Sequence, residues 1–223
     1  MKGSSKFHFF VSYFFNHFFR YQNRGLLFFL LLSNVYLSVF SNYIHADAQT
    51  QSEKIIVDNF ENGKHNSLGG NSGAFADNKD LGYCYLFYVQ NKQKEIFGES
   101  KYSLCIQWDT SKEGAYGGYW TDLKHLNLEG FNYLTFYVKG SKGGEKFKIG
   151  LRDKLNSNYE TKILINEVLI KGVTTEWQRV IITLKRFEAI QDWRDVNIFS
   201  INFEYAFGSE KGLILVDEIA FEK

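Results

Sequence analysis

From residue 53 onward the chain is written in short runs whose apolar residues recur at every second position. In "FNYLTFYVKG" (131–140), Leu134, Phe136 and Val138 alternate with Tyr133, Thr135, Tyr137 and Lys139. "EKFKIGLRD" (145–153) repeats the pattern with Phe147, Ile149 and Leu151, and "WQRVIITL" (177–184) with Val180, Ile182 and Leu184. "IFSINFEYAF" (198–207) sets Ile201, Phe203 and Tyr205 on one face. A period of two is that of a half-buried β-strand. "EKIIVDNF", "GYCYLFYVQ", "YSLCIQWD", "YETKILI" and "GLILVDEIAF" add further strands. The last is apolar on both faces, as a central strand is. Proline is absent, so glycine, asparagine and aspartate bound the runs, and "GSKGG" reads as a hairpin turn. Residues 61–80 carry turn chemistry without an apolar period and read as one long loop. Only "LKRFEAIQDW" (184–193) has helical spacing. Nine or ten short strands with almost no helix predict an all-β chain, a β-sandwich or barrel around one core, and as a sandwich it would be two antiparallel sheets.

The first 48 residues are of another kind. A basic leader with Lys2, Lys6, Arg20 and Arg24 precedes the apolar run Gly25–Phe40 and the small-residue end Ala46-Asp47-Ala48. These are the parts of a secretory signal peptide. The expected organisation is a signal peptide over 1–48 and a folded domain over 49–223, secreted, periplasmic or at the cell surface. An uncleaved anchor is the alternative, and membrane contact is expected only then. The net charge is +1 for the whole chain and the leader is basic, so the domain is close to neutral. That excludes the basic face a nucleic-acid partner needs. Only His65 and His125 follow the leader, which argues against a histidine-rich metal site. Cys84 and Cys105 fall in neighbouring strands and stand either as a disulfide or as two small buried hydrophobes.

"KEGAYGGYWTDLKHL" (112–126) packs glycines and large aromatics together. Alternation puts Tyr119 and Trp120 on opposite faces, one ring in the core and one outside. Exposed aromatics with nearby polar groups suit sugars: a flat ring stacks on the C–H face of a pyranose, and carboxylates, Arg and Asn hold its hydroxyls. Arg152 and Asp153 in "GLRDKLNSNY", with Tyr159, Trp193 and Tyr205, are further candidates. No nucleophile elbow or other catalytic motif selects any acid, so an enzyme is not expected.

"IIVDNFENG", "GGYW", "LNLEGFNYLTFYVKG", "TTEWQRVIITLKRF" and "IFSINFEYAF…GLILVDEIAF" occur in this order over residues 53–223. In that order and spacing they resemble the family 11 carbohydrate-binding modules and the wider galactose-binding-domain-like group. The resemblance implies a jelly roll with a sugar-binding concave face and a structural calcium ion. It implies Tyr119 and Tyr205 as cleft residues, with Tyr119 the outward one of its pair. The full ligand-binding set is then Tyr119, Arg152, Asp153, Tyr159, Trp193 and Tyr205, for a polysaccharide or glycan. Asp58, Glu61 and Asp217, on terminal strands that a jelly roll brings together, are the expected calcium ligands. The group also contains the complex I intermediate-associated protein 30 domain, which makes a protein-docking assembly factor the alternative function.

Overall fold

The structure, a computed structural model, describes residues 53–223 except 64, 77–79, 91–96, 99 and 156–159. The expectations for the 1–48 leader and for Tyr159 lie outside the described residues.

Eleven strands are present among the described residues: β1 (Lys54–Asp58), β2 (Ser72–Ala76), β3 (Tyr83–Gln90), β4 (Tyr102–Asp109), β5 (Tyr116–Leu126), β6 (Tyr133–Gly140), β7 (Lys148–Asp153), β8 (Thr161–Leu164), β9 (Gln178–Thr183), β10 (Val196–Glu204) and β11 (Lys211–Glu222). They form two antiparallel sheets, the β-sandwich of a jelly roll. The first runs β3-β4-β11-β6-β9, with β1 also on β11, and the second runs β2-β5-β10-β7-β8. β11 lies inside the first sheet between β4 and β6, as its two apolar faces require. The alternating residues meet between the sheets: Leu134, Phe136, Val138, Ile149, Leu151, Val180, Phe199, Ile201 and Phe203 are completely buried.

Two elements differ from expectation. The 61–80 loop contains an edge strand, β2, whose "SGAFA" has too little apolar alternation to announce itself. Buried Asn66 ties the preceding loop to β5. Its amide donates to the Thr121 hydroxyl and the Asp122 carbonyl, both at 2.7 Å, and its side-chain oxygen accepts from the Leu68 and Gly70 amides. Ser72 then meets Thr121 at 2.7 Å and the β2–β5 register follows. The 184–193 segment, expected to hold one or two helical turns, holds a single turn of the 3-10 type, Leu184–Arg186, and otherwise runs as loop.

The cysteines are not disulfide-bonded. The β3–β4 register sets Cys84 opposite Trp108, facing the core, and Cys105 opposite Phe87, on the outer face. Side chains on opposite faces of a sheet point apart, so a bridge is excluded. Burial pushes the Cys84 thiol up to about 12.

Candidate functional site

The second sheet turns a set of aligned side chains outward. Register places Gly73, Trp120, Ser200, Gly150 and Lys162 in one row across β2, β5, β10, β7 and β8. The next row is Phe75, Gly118, Asn202, Lys148 and Leu164. Tyr116 and Glu204 continue on one side, and Asp122, Ile198 and Arg152 on the other.

Glycine decides how the rings lie. A Cβ on Gly118 would stand 2.8 Å from the Phe75 ring and 2.0 Å from the Ile201 carbonyl oxygen. One on Gly73 would stand 3.1 Å from the Trp120 indole nitrogen. Each ring therefore lies over the bare backbone of a glycine on the adjacent strand, a packing seen where an aromatic covers a strand glycine. Phe75 also meets Tyr116, ring centroids 6.5 Å apart. Trp120 and Phe75 are partly exposed and Tyr116 is exposed. The result is an aromatic patch across β2 and β5.

Polar side chains border that patch. The Lys162 ammonium bonds Glu204 at 3.2 Å and sits 3.9 Å from Glu160. Lys148 pairs with Glu204 at 3.6 Å and lies 3.0 Å over the Phe207 ring. The Ser200 hydroxyl donates to Glu160, and the Asn202 amide donates to Ser200 at 2.7 Å. A linked set of this kind holds its donors and acceptors in fixed directions.

The residues picked from sequence are only partly assembled here. Arg152 is on this outer face. Tyr119 is not the outward member of its pair: it is 1% exposed, packed between the sheets with its hydroxyl toward Ser72. Trp120 is the outward ring. Asp153 is fully buried and accepts the Gln191 and Asp192 backbone amides, at 2.5 and 2.8 Å, so it anchors a loop. Tyr205 is 40% exposed, because β10 ends at Glu204 and a 3-10 turn, Tyr205–Phe207, breaks the alternation that would have sent it inward. Trp193 lies away from the patch, in a groove at the end of the sandwich. Phe75 has no sequence signal, because the short strand that carries it lies within turn-rich residues 61–80. Lys148, Lys162, Ser200 and Asn202 carry no motif, and only register gathers them.

The three carboxylates expected to hold calcium each accept hydrogen bonds from the protein itself. Asp58 and Asp217 are buried, Asp217 feels the charges of Glu218 and Glu61, and Asp58 feels that of Asp217. Burial, with that neighbour, raises Asp58 to about 7, and burial raises Asp217 to about 6. Their oxygens accept bonds from the Phe60 amide, the Ser103 hydroxyl and the Glu218 amide. Glu61 is spent on the Lys101 and Tyr102 amides. Among the described residues no three His, Cys, Asp or Glu side chains converge as metal ligands.

The model of carbohydrate binding domain 30 matches residues 57–223. The chain belongs to this family. Its fold recurs in solved structures of low identity. The family 11 module of a cellulosomal cellulase of Clostridium thermocellum is 12% identical, with 77% of this chain and 95% of that one covered and a TM-score of 0.55. The same organism's family 11 module in complex with a β-1,3-1,4-mixed-linked tetrasaccharide is also 12% identical, covering 75% and 94%, with a TM-score of 0.54. The family 30 module of another of its cellulosomal cellulases is 20% identical, covering 76% and 96%, with a TM-score of 0.53. No curated protein sequence matches the chain. The resemblance to family 11 thus holds for the fold, while the sequence match is to family 30.

Proposed function

We propose that this family 30 domain is an exported, non-catalytic module that binds a neutral polysaccharide across the outward face of its second sheet. The observation that carries the reading is the pair of rings, Trp120 and Phe75, laid over Gly73 and Gly118 beside a linked polar set. A ring lying along the sheet presents its face outward, which is the geometry that stacks on a pyranose. Lys148, Lys162, Glu160 and Glu204 are mutually paired, so the rim is nearly charge-balanced and suits hydroxyls better than a charged polymer. The two acids are tied to lysine, which supports a binding role for them rather than a catalytic one. Membership of a carbohydrate-binding family agrees.

Affinity electrophoresis and calorimetry against soluble β-glucans test this, beginning with mixed-linkage β-1,3-1,4-glucan because a related fold was solved with that ligand. Trp120→Ala and Phe75→Ala are each expected to weaken binding by about tenfold or more, as truncation of an aromatic anchor does. Tyr119→Phe, which keeps the buried ring, is expected to leave binding unchanged. No retention by any glycan tested, or full retention by the double Trp120/Phe75 variant, would falsify the proposal.

A further inference from the structure

A second concavity lies at the end of the sandwich, away from the aromatic face of the second sheet. Its volume is about 570 Å³, within the range of small-molecule sites. Three segments wall it: Leu128–Tyr133, Thr183–Lys185 where β9 passes into the 3-10 turn, and Gln191–Arg194. Cross-segment backbone bonds fix them. The Leu128 amide donates to the Trp193 carbonyl at 2.7 Å, and Leu184 donates to Asn132 at 2.8 Å. Asp153 clamps the Gln191 and Asp192 amides from below. Gly130, at φ +82°, makes the tight turn between Leu128 and Phe131. The groove is thus preformed, and a ligand entering it has little chain to order.

Its lining combines two kinds of group. Phe131, Tyr133 and Trp193 supply aromatic surface, with Tyr133 well exposed. Asp192 and Arg194 form a bidentate pair, Nε to Oδ1 at 2.9 Å and a terminal nitrogen to Oδ2 at 3.1 Å. The pair holds Asp192 below the usual carboxylate range, through the Arg194 bonds. Glu129 and Lys185 add one further charge of each sign. A phosphate would meet Asp192 and Glu129, and a cation would meet Arg194 and Lys185. The mixed signs favour a neutral, hydroxyl-rich molecule with an apolar face over an ion of either charge.

We infer that this groove is a second saccharide site, taking a mono- or disaccharide unit or a chain end. Tyr133 and Trp193 offer the stacking surface, and Asp192 and Arg194 bond ring hydroxyls. It is separate from the proposed polysaccharide face and uses none of its residues. A chain held on the sheet and another captured at the end would let one module bridge two glycans.

The test is a nitrogen-15 amide titration of the whole protein with glucose, galactose, cellobiose and laminaribiose, each to about 50 mM, which detects even millimolar affinity. The amides of Phe131, Asn132 and Arg194 and the Trp193 indole are expected to shift with one or more of these sugars. The shifts persist in Trp120→Ala, which disables only the face. They shrink at least tenfold in apparent affinity in Tyr133→Ala and in Asp192→Asn. Thermal melts of those two surface variants, matched to the parent, show that folding is intact. If no groove amide moves with any of the four sugars, the second site is wrong, whatever the face binds. If groove shifts vanish in Trp120→Ala, the groove is not a separate site. If groove amides respond while polysaccharide binding ignores Trp120, the second site stands and the polysaccharide face falls.

Discussion

Both sheets carry exposed aromatics on their outer faces, and the two sets are built differently. On the first sheet, β3 presents Tyr83, Tyr85 and Phe87 at alternate positions. Tyr83 and Tyr85 stack on each other at 4.8 Å and Tyr85 meets Phe87 edge-on at 6.5 Å. Their β4 partners are Asp109, Gln107 and Cys105, none a glycine, so the rings rest on one another. On the second sheet Trp120 and Phe75 rest on Gly73 and Gly118. Tyr83 and Tyr85 each spend a face on the other, whereas Trp120 and Phe75 lay a face on glycine backbone. On the proposed reading, the residue beneath each ring, rather than aromatic content alone, marks the sugar platform.

The sharpest way to break the contrast is to remove a glycine. Gly118→Val puts a side chain into the Ile201 carbonyl and the Phe75 ring. The expected loss is about 3 kcal/mol of stability, typical of overpacking a closed site, with polysaccharide binding abolished in whatever remains folded. Denaturant unfolding and affinity electrophoresis measure the two effects. A variant of unchanged stability would show that the close approach over Gly118 is not required.

The sheets also differ in how their acids are partnered. Glu160 and Glu204 at the second sheet pair with lysine, while buried Asp58, near the β1–β11 pairing, feels the charge of Asp217. The raised pKa values, about 7 and about 6, mean that between pH 4 and 7 the folded state binds more protons than the unfolded chain. Stability should thus fall as pH rises through that window, by on the order of 3 kcal/mol for the pair, and level off above it. Thermal melts in chelator from pH 5 to pH 8 read the slope directly, and Asp58→Asn should flatten it. A slope reversed by added calcium would show that these carboxylates do gather around a cation.

Smaller effects follow at the rim. Lys162→Met leaves Glu160 and Glu204 without their shared partner and should weaken polysaccharide binding about threefold to tenfold, a loss of roughly 1 kcal/mol. The smallest effect closes the comparison. Tyr85→Ala with Phe87→Ala should change polysaccharide affinity by less than about twofold, since those rings belong to the first sheet and lie outside the proposed face. Loss of binding in that double variant would move the site to the other sheet.

Much of this was legible in the sequence. The inward residues of β6, β7 and β9 follow directly from alternation, and the place of β11 inside its sheet follows from its two apolar faces. Tyr205 shows where the pattern stops helping: the period-two series Ile201, Phe203, Tyr205 holds only while the strand continues, and a 3-10 turn ends it one residue early. Asp153 looked like a groove residue beside Arg152, yet it faces inward and serves two loop amides distant in sequence. No local pattern announces such a partnership.

The amino-acid order by itself determined that Tyr119 and Trp120 lie on opposite faces of one strand, because successive side chains must alternate. It did not determine which of them meets solvent. That depends on which side of β5 the first sheet packs, a long-range matter that buries Tyr119 and leaves Trp120 outside. The glycines likewise gain meaning only in register. Gly73 lies far from Trp120 along the chain, and β2–β5 pairing alone sets it under the indole. The strands and their inward residues were local facts, and the aromatic patch was made by pairing between strands, because register alone brings residues distant in sequence side by side.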